Sequence, residues 1–194
     1  MAGRIAGQIH EIGGQIEQGA GPETVSRVMA GSEQVTASSS PEKIALWVKS
    51  AMECLNALTA EATWEEIMQT CGYNCILTNK RPLEAAQVRR RKYSTERMFL
   101  KAEVQKPPRG FRYEDDGEVL VQFYIPRSFR PGMRCFCGLM QGLPEGTTAS
   151  RTFCQCSRGF VQKYWEGILG RPVGVELKET AITGVEECRF LVHL

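Results

Sequence analysis

The apolar residues of this sequence recur with a helical period up to about residue 105 and with a strand period after it. Two consecutive prolines, Pro107 and Pro108, follow this change and cannot continue a helix. The pattern predicts an α+β fold in which a helical N-terminal half packs on a C-terminal antiparallel sheet. We expect residues 1–105 to form the helical region and residues 106–194 a cysteine-rich α/β region, with both joined in one compact unit.

The first 40 residues predict a weak helix that carries isoleucines at helical spacing over residues 5–16. We expect Gly13-Gly14 to interrupt this helix and the region to pack loosely. A stronger helix begins after Ser40, because a serine hydroxyl can cap the helix and Pro41 suits its first turn.

Two further helical stretches complete the predicted N-terminal half. Thr63 and Glu66 have the spacing of a capping box, so we expect a helix to begin at Thr63, and Gly72 is a candidate early end. The last stretch runs from about Pro82 to about Val104 as one helix.

The second half predicts five strands and one helix in β-β-β-α-β-β order. Residues 115–117 form a turn signal between the first two strands, and Gly170 ends the helix. The strands are predicted near Phe111 and at 118–125, 133–139, 173–177 and 188–192, and the helix at 153–169.

The cysteines are the main indication of a functional site in this sequence. Eight cysteines in a chain with no apolar signal-peptide stretch favour metal or thiol chemistry over a secreted disulfide scaffold. Two Cys-x-Cys pairs and one cysteine on the last strand could together meet the tetrahedral demand of zinc. Buried reduced cysteines and a redox or nucleophilic thiol are the open alternatives, and a helix N-terminus would lower the pKa of the second pair. The candidate metal ligands are Cys135, Cys137, Cys154, Cys156 and Cys188.

A candidate ligand pocket involves a second group of side chains. Cys71 and Cys75 share one face of a helix, where they either pack in the core or line a pocket between the helical half and the sheet. Phe160, Tyr164 and Trp165 would wall that pocket, although their helical spacing makes them core residues first.

The last 40 or so residues resemble the vinyl-reductase-type (4VR) small-molecule-binding domains. The resemblance rests on a cysteine that opens the long helix, on a Gly-x-Pro-Val turn, and on a Gly-x-x-x-Cys-x-Phe ending. These features are Cys156, Gly170 to Val173, and Gly184 to Phe190. A looser similarity is to L-2-amino-thiazoline-4-carboxylic acid hydrolase-like proteins.

The 4VR resemblance implies a domain that encloses a small apolar or aromatic ligand, and a zinc ion held by cysteines and an acidic residue in some members. Cys156 and Cys188 match two of the family's zinc ligands, whereas its further cysteine falls on Thr180 here. The resemblance thus favours a binding or sensory domain. The alternative is a small C–N hydrolase in which Cys154 or Cys156 is the nucleophile, or in which a metal activates water.

Composition and charge limit the classes of binding partner that the sequence predicts. No apolar run is long enough for a membrane span, so we expect a cytoplasmic protein with no membrane partner.

The chain carries a net charge of +2, with +6 concentrated over residues 80–101. The basic stretch does not predict a nucleic-acid partner, because no nucleic-acid-binding signature accompanies it. His10 and His193 are the only histidines and offer little material for a catalytic triad. The sequence leaves a homodimer open.

Overall fold

The computed structural model describes residues 2–36 and 38–194, with the side chains of residues 2–4 outside that description. Helices fill the first half, and the second half holds one α-helix, short 3-10 turns and a four-stranded sheet, which confirms the α+β class. The helices are α1 (Ala2–Val28), α2 (Pro41–Leu58), α3 (Glu61–Thr78), α4 (Arg81–Arg90), α5 (Glu96–Gln105) and α6 (Gln155–Leu169). The strands are β1 (Phe111–Asp115), β2 (Val119–Tyr124), β3 (Gly174–Glu179) and β4 (Cys188–His193).

Helix α1 departs from the expectation in two ways. It runs without a break through Gly13-Gly14, and its interruption lies instead at Gly21, where φ is +82°. Loose packing is also wrong, since Ile9, Ile12 and Ile16 are buried against the core. The hydrophobic contacts of these isoleucines outweigh the low helix propensity of two adjacent glycines.

The middle helices confirm the expected elements but shift some boundaries. The Ser40 hydroxyl accepts a hydrogen bond from the Lys43 amide and caps α2. Helix α3 begins at Glu61, two residues before the predicted start, and it continues past Gly72 to Thr78. The single helix predicted over 82–104 is two helices, because the Thr95 side chain caps a new start and accepts from the Met98 amide.

The sheet has the strand order β1-β2-β4-β3, and every pairing is antiparallel. One row of partners crosses all four strands through Tyr113, Gln122, Phe190 and Leu177, and all four are buried. This face of the sheet packs on α6, where Trp165 donates from Nε1 to Gln122 Oε1 at 2.7 Å.

The predicted strand over residues 133–139 is wrong, because these residues form turns and loop. The order is therefore β-β-α-β-β. Arg134 is only 5% exposed and donates to the carbonyl oxygens of Pro144, Thr147 and Ala181. These bonds hold the loop between β2 and α6 in a folded-back shape, which a strand could not adopt.

Helices α3 and α6 cross at close range. A Cβ on Gly72 would overlap the Cys156 carbonyl oxygen and lie 2.7 Å from the Phe160 amide nitrogen. A Cβ on Gly159 would likewise overlap the carbonyl oxygen of Gln69. Two glycines therefore let the two helix backbones touch, and this contact joins the helical half to the second half. In the described part of the chain, no helix combines the length and apolar character needed to cross a bilayer.

Candidate functional site

A cavity of about 250 Å³ lies among α1, α3, the loop after Cys137 and the start of α6. We call it the thiol cavity, because four cysteines from three separate segments line it: Cys71, Cys75, Cys137 and Cys156. Ile12, Leu139 and Phe153 supply apolar wall. It thus borders the helices and a loop and not the sheet.

The glycine crossing of α3 and α6 positions two sides of the thiol cavity. Cys71 and Cys75 stand one turn apart on α3, and Cys156 lies in the first turn of α6, against Gly72. Gly72 was a candidate for an early end of α3. In the structure it serves the approach of a second helix instead.

Two thiols of this cavity, Cys71 and Cys156, have raised pKa values. Burial raises the pKa of Cys71 to about 12, with repulsion from Glu11 as the next cause. Burial also raises the pKa of Cys156 well above its usual range, and the Cys137 and Cys71 thiols add to that effect. The expectation that a helix N-terminus lowers the pKa of Cys156 is wrong, because desolvation outweighs the helix dipole here.

The other three candidate metal ligands lie deeper. Cys135, Cys154 and Cys188 are buried, and burial raises the pKa of each of them, to about 11 for Cys188. For Cys154, this again reverses the lowered pKa expected at a helix N-terminus. Backbone amides donate to two of the sulfurs, from Cys137 to Cys135 at 3.4 Å and from Ala181 to Cys188 at 3.3 Å.

Metal binding is predicted from the sequence for five cysteines: Cys135, Cys137, Cys154, Cys156 and Cys188. Within the described residues, no group of three or more His, Cys, Asp or Glu side chains is placed to hold a metal ion. Zinc at these cysteines stays a prediction of their spacing, and the 4VR resemblance supports it at Cys156 and Cys188.

The three aromatic residues that were predicted to line the pocket lie away from the thiol cavity. Trp165 is fully buried between the sheet and α5, where it contacts Phe99 edge to face. Tyr164 packs edge to face on Trp165, and Phe160 is half-buried on α6. None of the three lines the thiol cavity, because its wall at α6 ends at the first turn.

The polar end of the thiol cavity was not expected from the sequence. Gln8 and Glu11 of α1 face Asn74 of α3, and Asn74 Nδ2 donates to Glu11 Oε1 at 2.6 Å. Gln8 donates from Nε2 to the Cys137 sulfur at 3.7 Å. Gln8 and Glu11 are three residues apart, so on a helix they share one face. This spacing could have predicted the polar group, but α1 was expected to pack loosely.

The basic stretch and the histidines play no part in this cavity. Arg89 forms two hydrogen bonds with the buried Glu103 carboxylate, at 2.8 and 2.9 Å, and thereby ties α4 to α5. His193 contacts Glu176 at 2.7 Å on the exposed face of the sheet, and His10 is exposed on α1.

Comparison with known proteins gives a family and a fold. A family model described as "Family of unknown function (DUF6144)" matches residues 6–193. No curated protein matches the chain. Among solved structures, the chain is similar to a mutant H-NOX protein from K. algicida, crystallised in its Fe(II) unliganded form. The TM-score is 0.52 at 14% identity, and the match covers 100% of this chain and 96% of that chain. This likeness shows a shared fold.

Proposed function

The chain belongs to the DUF6144 family of unknown function, and we propose that it binds a small, largely apolar ligand in the thiol cavity. The observation that carries this proposal is the cavity itself, of about 250 Å³, lined by segments that lie far apart in sequence. Drug-sized ligands occupy pockets of roughly 300–1,000 Å³, so the ligand is smaller than these.

The chemistry of the wall favours binding over catalysis. A cysteine nucleophile reacts as the thiolate, whereas burial raises the pKa of both Cys154 and Cys156. The described part of the cavity wall holds one carboxylate, Glu11, and no histidine. The hydrolase alternative therefore has little support, and a sensory or binding domain is the better reading.

The two resemblances agree with this proposal. The 4VR similarity implies an enclosed small ligand, and the H-NOX neighbour, described as unliganded, has the same fold. The iron is a property stated of that neighbour alone. The proposal rests on the cavity and involves no iron.

A second proposal is a zinc ion bound by the five cysteines predicted as metal ligands, and it has less support than ligand binding in the thiol cavity. Its support is the cysteine spacing and the 4VR resemblance, and among the described residues no group of three or more His, Cys, Asp or Glu side chains is placed to hold a metal ion. Metal analysis by mass spectrometry on untagged protein tests it. Near-stoichiometric zinc would establish the site, and metal-free protein with eight reactive thiols after unfolding would overturn it.

A small-molecule screen tests the ligand-binding proposal. Compounds of up to about 12 heavy atoms are added to the full chain, and binding is read from the shift in melting temperature. Peptide-level alkylation then locates the site. A ligand of the thiol cavity slows the labelling of Cys75 and Cys137 and leaves Cys54, a half-buried thiol outside the cavity, unchanged.

Two results would contradict the proposal. One is a library in which no compound stabilises the protein. The other is a set of stabilising compounds that leave the labelling of the cavity thiols unchanged, because these compounds bind elsewhere.

A further inference from the structure

The charge of the cavity wall selects among small ligands. Among the described residues that line the thiol cavity, Glu11 is the only ionisable group other than the cysteines, and no Lys, Arg or His lies in the wall. Burial raises the pKa of the Cys71 and Cys156 thiols, so these two side chains add no negative charge to the wall near neutral pH. An ionised Glu11 therefore gives the cavity one negative charge with no cation to balance it.

The hydrogen bonds of Glu11 leave it able to take a cation. Its Oε1 accepts from Asn74 Nδ2 at 2.6 Å and from Gln15 Nε2 at 3.2 Å, and both of these donors are neutral amides. Among the side chains that the structure describes, Glu11 forms no salt bridge. Its charge also acts across the cavity, since it contributes to the raised pKa of Cys71.

A second acceptor lies one helical turn away. Gln8 Oε1 is buried and accepts no hydrogen bond from the described residues, while Gln8 Nε2 donates to Cys137. An unpaired buried acceptor costs about 1–3 kcal/mol, which a bound donor would recover. Residues three apart on a helix are neighbours, so one donor group can serve both Gln8 and Glu11.

We infer that the ligand is a small hydrophobic amine in its ammonium form. The ammonium binds between Glu11 and Gln8, and the apolar body lies against Ile12, Leu139 and Phe153. An anion would meet repulsion from Glu11, and a neutral alcohol would lack the charge attraction. This inference rests on the proposed function and names its ligand class.

Three probes of similar size and different charge test the inference on the full chain. They are phenethylamine, 2-phenylethanol and phenylacetate, each measured by calorimetric titration at pH 7. We expect the amine to bind at least tenfold more tightly than the alcohol and the acid not to bind.

Glu11→Gln keeps the shape of the side chain and removes its charge, so this variant should bind the amine and the alcohol equally. Glu17→Gln is the matched control, since Glu17 is exposed on the same helix outside the thiol cavity, and it should behave as wild type.

The inference is overturned if the alcohol binds as tightly as the amine, if Glu11→Gln leaves the amine affinity unchanged, or if none of the three probes binds. These failures are distinct from failure of the proposed function. In each case a screening compound that protects Cys75 and Cys137 from alkylation still shows that the thiol cavity binds a ligand.

Discussion

The α carbon of Gly72 in α3 faces the carbonyl oxygen of Cys156 in α6 so closely that no side chain fits between them. This contact presses the first turn of α6 against α3. Cys156 thereby reaches the same cavity as Cys71 and Cys75, which are neighbours of Gly72 on α3. A packing contact between two helices thus builds one side of the candidate ligand site.

Gly72→Ala should lower the free energy of unfolding by about 1–3 kcal/mol or more, because the methyl group overlaps backbone that cannot rotate away. Gly14→Ala is the control, since a Cβ there meets nothing within 4 Å. That substitution should stabilise α1 by about 0.5–1 kcal/mol. Urea denaturation of both variants measures the difference, and equal stability of Gly72→Ala and wild type would refute the close crossing.

Arg134→Met should release the loop that carries Cys135 and Cys137. The buried guanidinium donates to three carbonyl oxygens, and hydrogen bonds to charged groups contribute roughly 1.5–3 kcal/mol each. We expect alkylation of Cys135 in the native protein to become at least tenfold faster. Arg130→Met, at an exposed position in the same loop, should leave the labelling rate unchanged. Equal rates in the two variants would show that Arg134 does not hold the loop.

Glu103→Gln should destabilise the chain by about 1–3 kcal/mol, because it removes the charge and one of two acceptors from the pair with Arg89. The matched control lies on the same helix. Glu96 pairs with Arg171 at 2.7 Å, but both side chains are partly exposed, so Glu96→Gln should cost less than about 1 kcal/mol. Similar losses in thermal or chemical unfolding would contradict a structural role for the Arg89–Glu103 pair.

Stability should fall as the pH rises from 9 to 11. Burial raises the pKa of Cys188 from 9.0 to about 11, so in this range the thiol ionises in the unfolded chain before it ionises in the folded protein. The unfolded state then binds fewer protons, and each such thiol lowers the free energy of unfolding by up to about 1.4 kcal/mol per pH unit. Cys188→Ala should therefore show a shallower decline than wild type. Parallel curves for the two proteins would mean that the Cys188 pKa is not raised by folding.

The elements that the sequence predicts well depend on residues close together in the chain. The Ser40 cap of α2, the 115–117 turn and the end of α6 at Gly170 each involve local geometry. At Gly170 the backbone adopts φ +71°, which glycine accepts without strain. Such features can be inferred from a few adjacent residues.

The features that the sequence does not predict depend on distant contacts. Residues 133–139 alternate as a strand would, but the bonds from Arg134 to residues 10 to 47 positions away decide their shape. The inner face of β2 includes the polar Gln122, which is buried because Trp165 donates to it. The polar end of the thiol cavity likewise joins Glu11 to Asn74, 63 positions apart. No local pattern contains these pairings.

The most direct test of ligand binding in the thiol cavity is to place a large side chain in its wall. Gly7 lines the cavity on the exposed side of α1, and a Cβ there meets nothing within 4 Å, so Gly7→Phe should fold normally. Gly14→Phe makes the same change in the same helix away from the thiol cavity, also in open space. With a ligand identified by screening, we predict at least a tenfold loss of affinity in Gly7→Phe, wild-type affinity in Gly14→Phe, and melting temperatures no lower than wild type in both. Wild-type affinity in a folded Gly7→Phe protein would contradict the assignment of the cavity as the binding site.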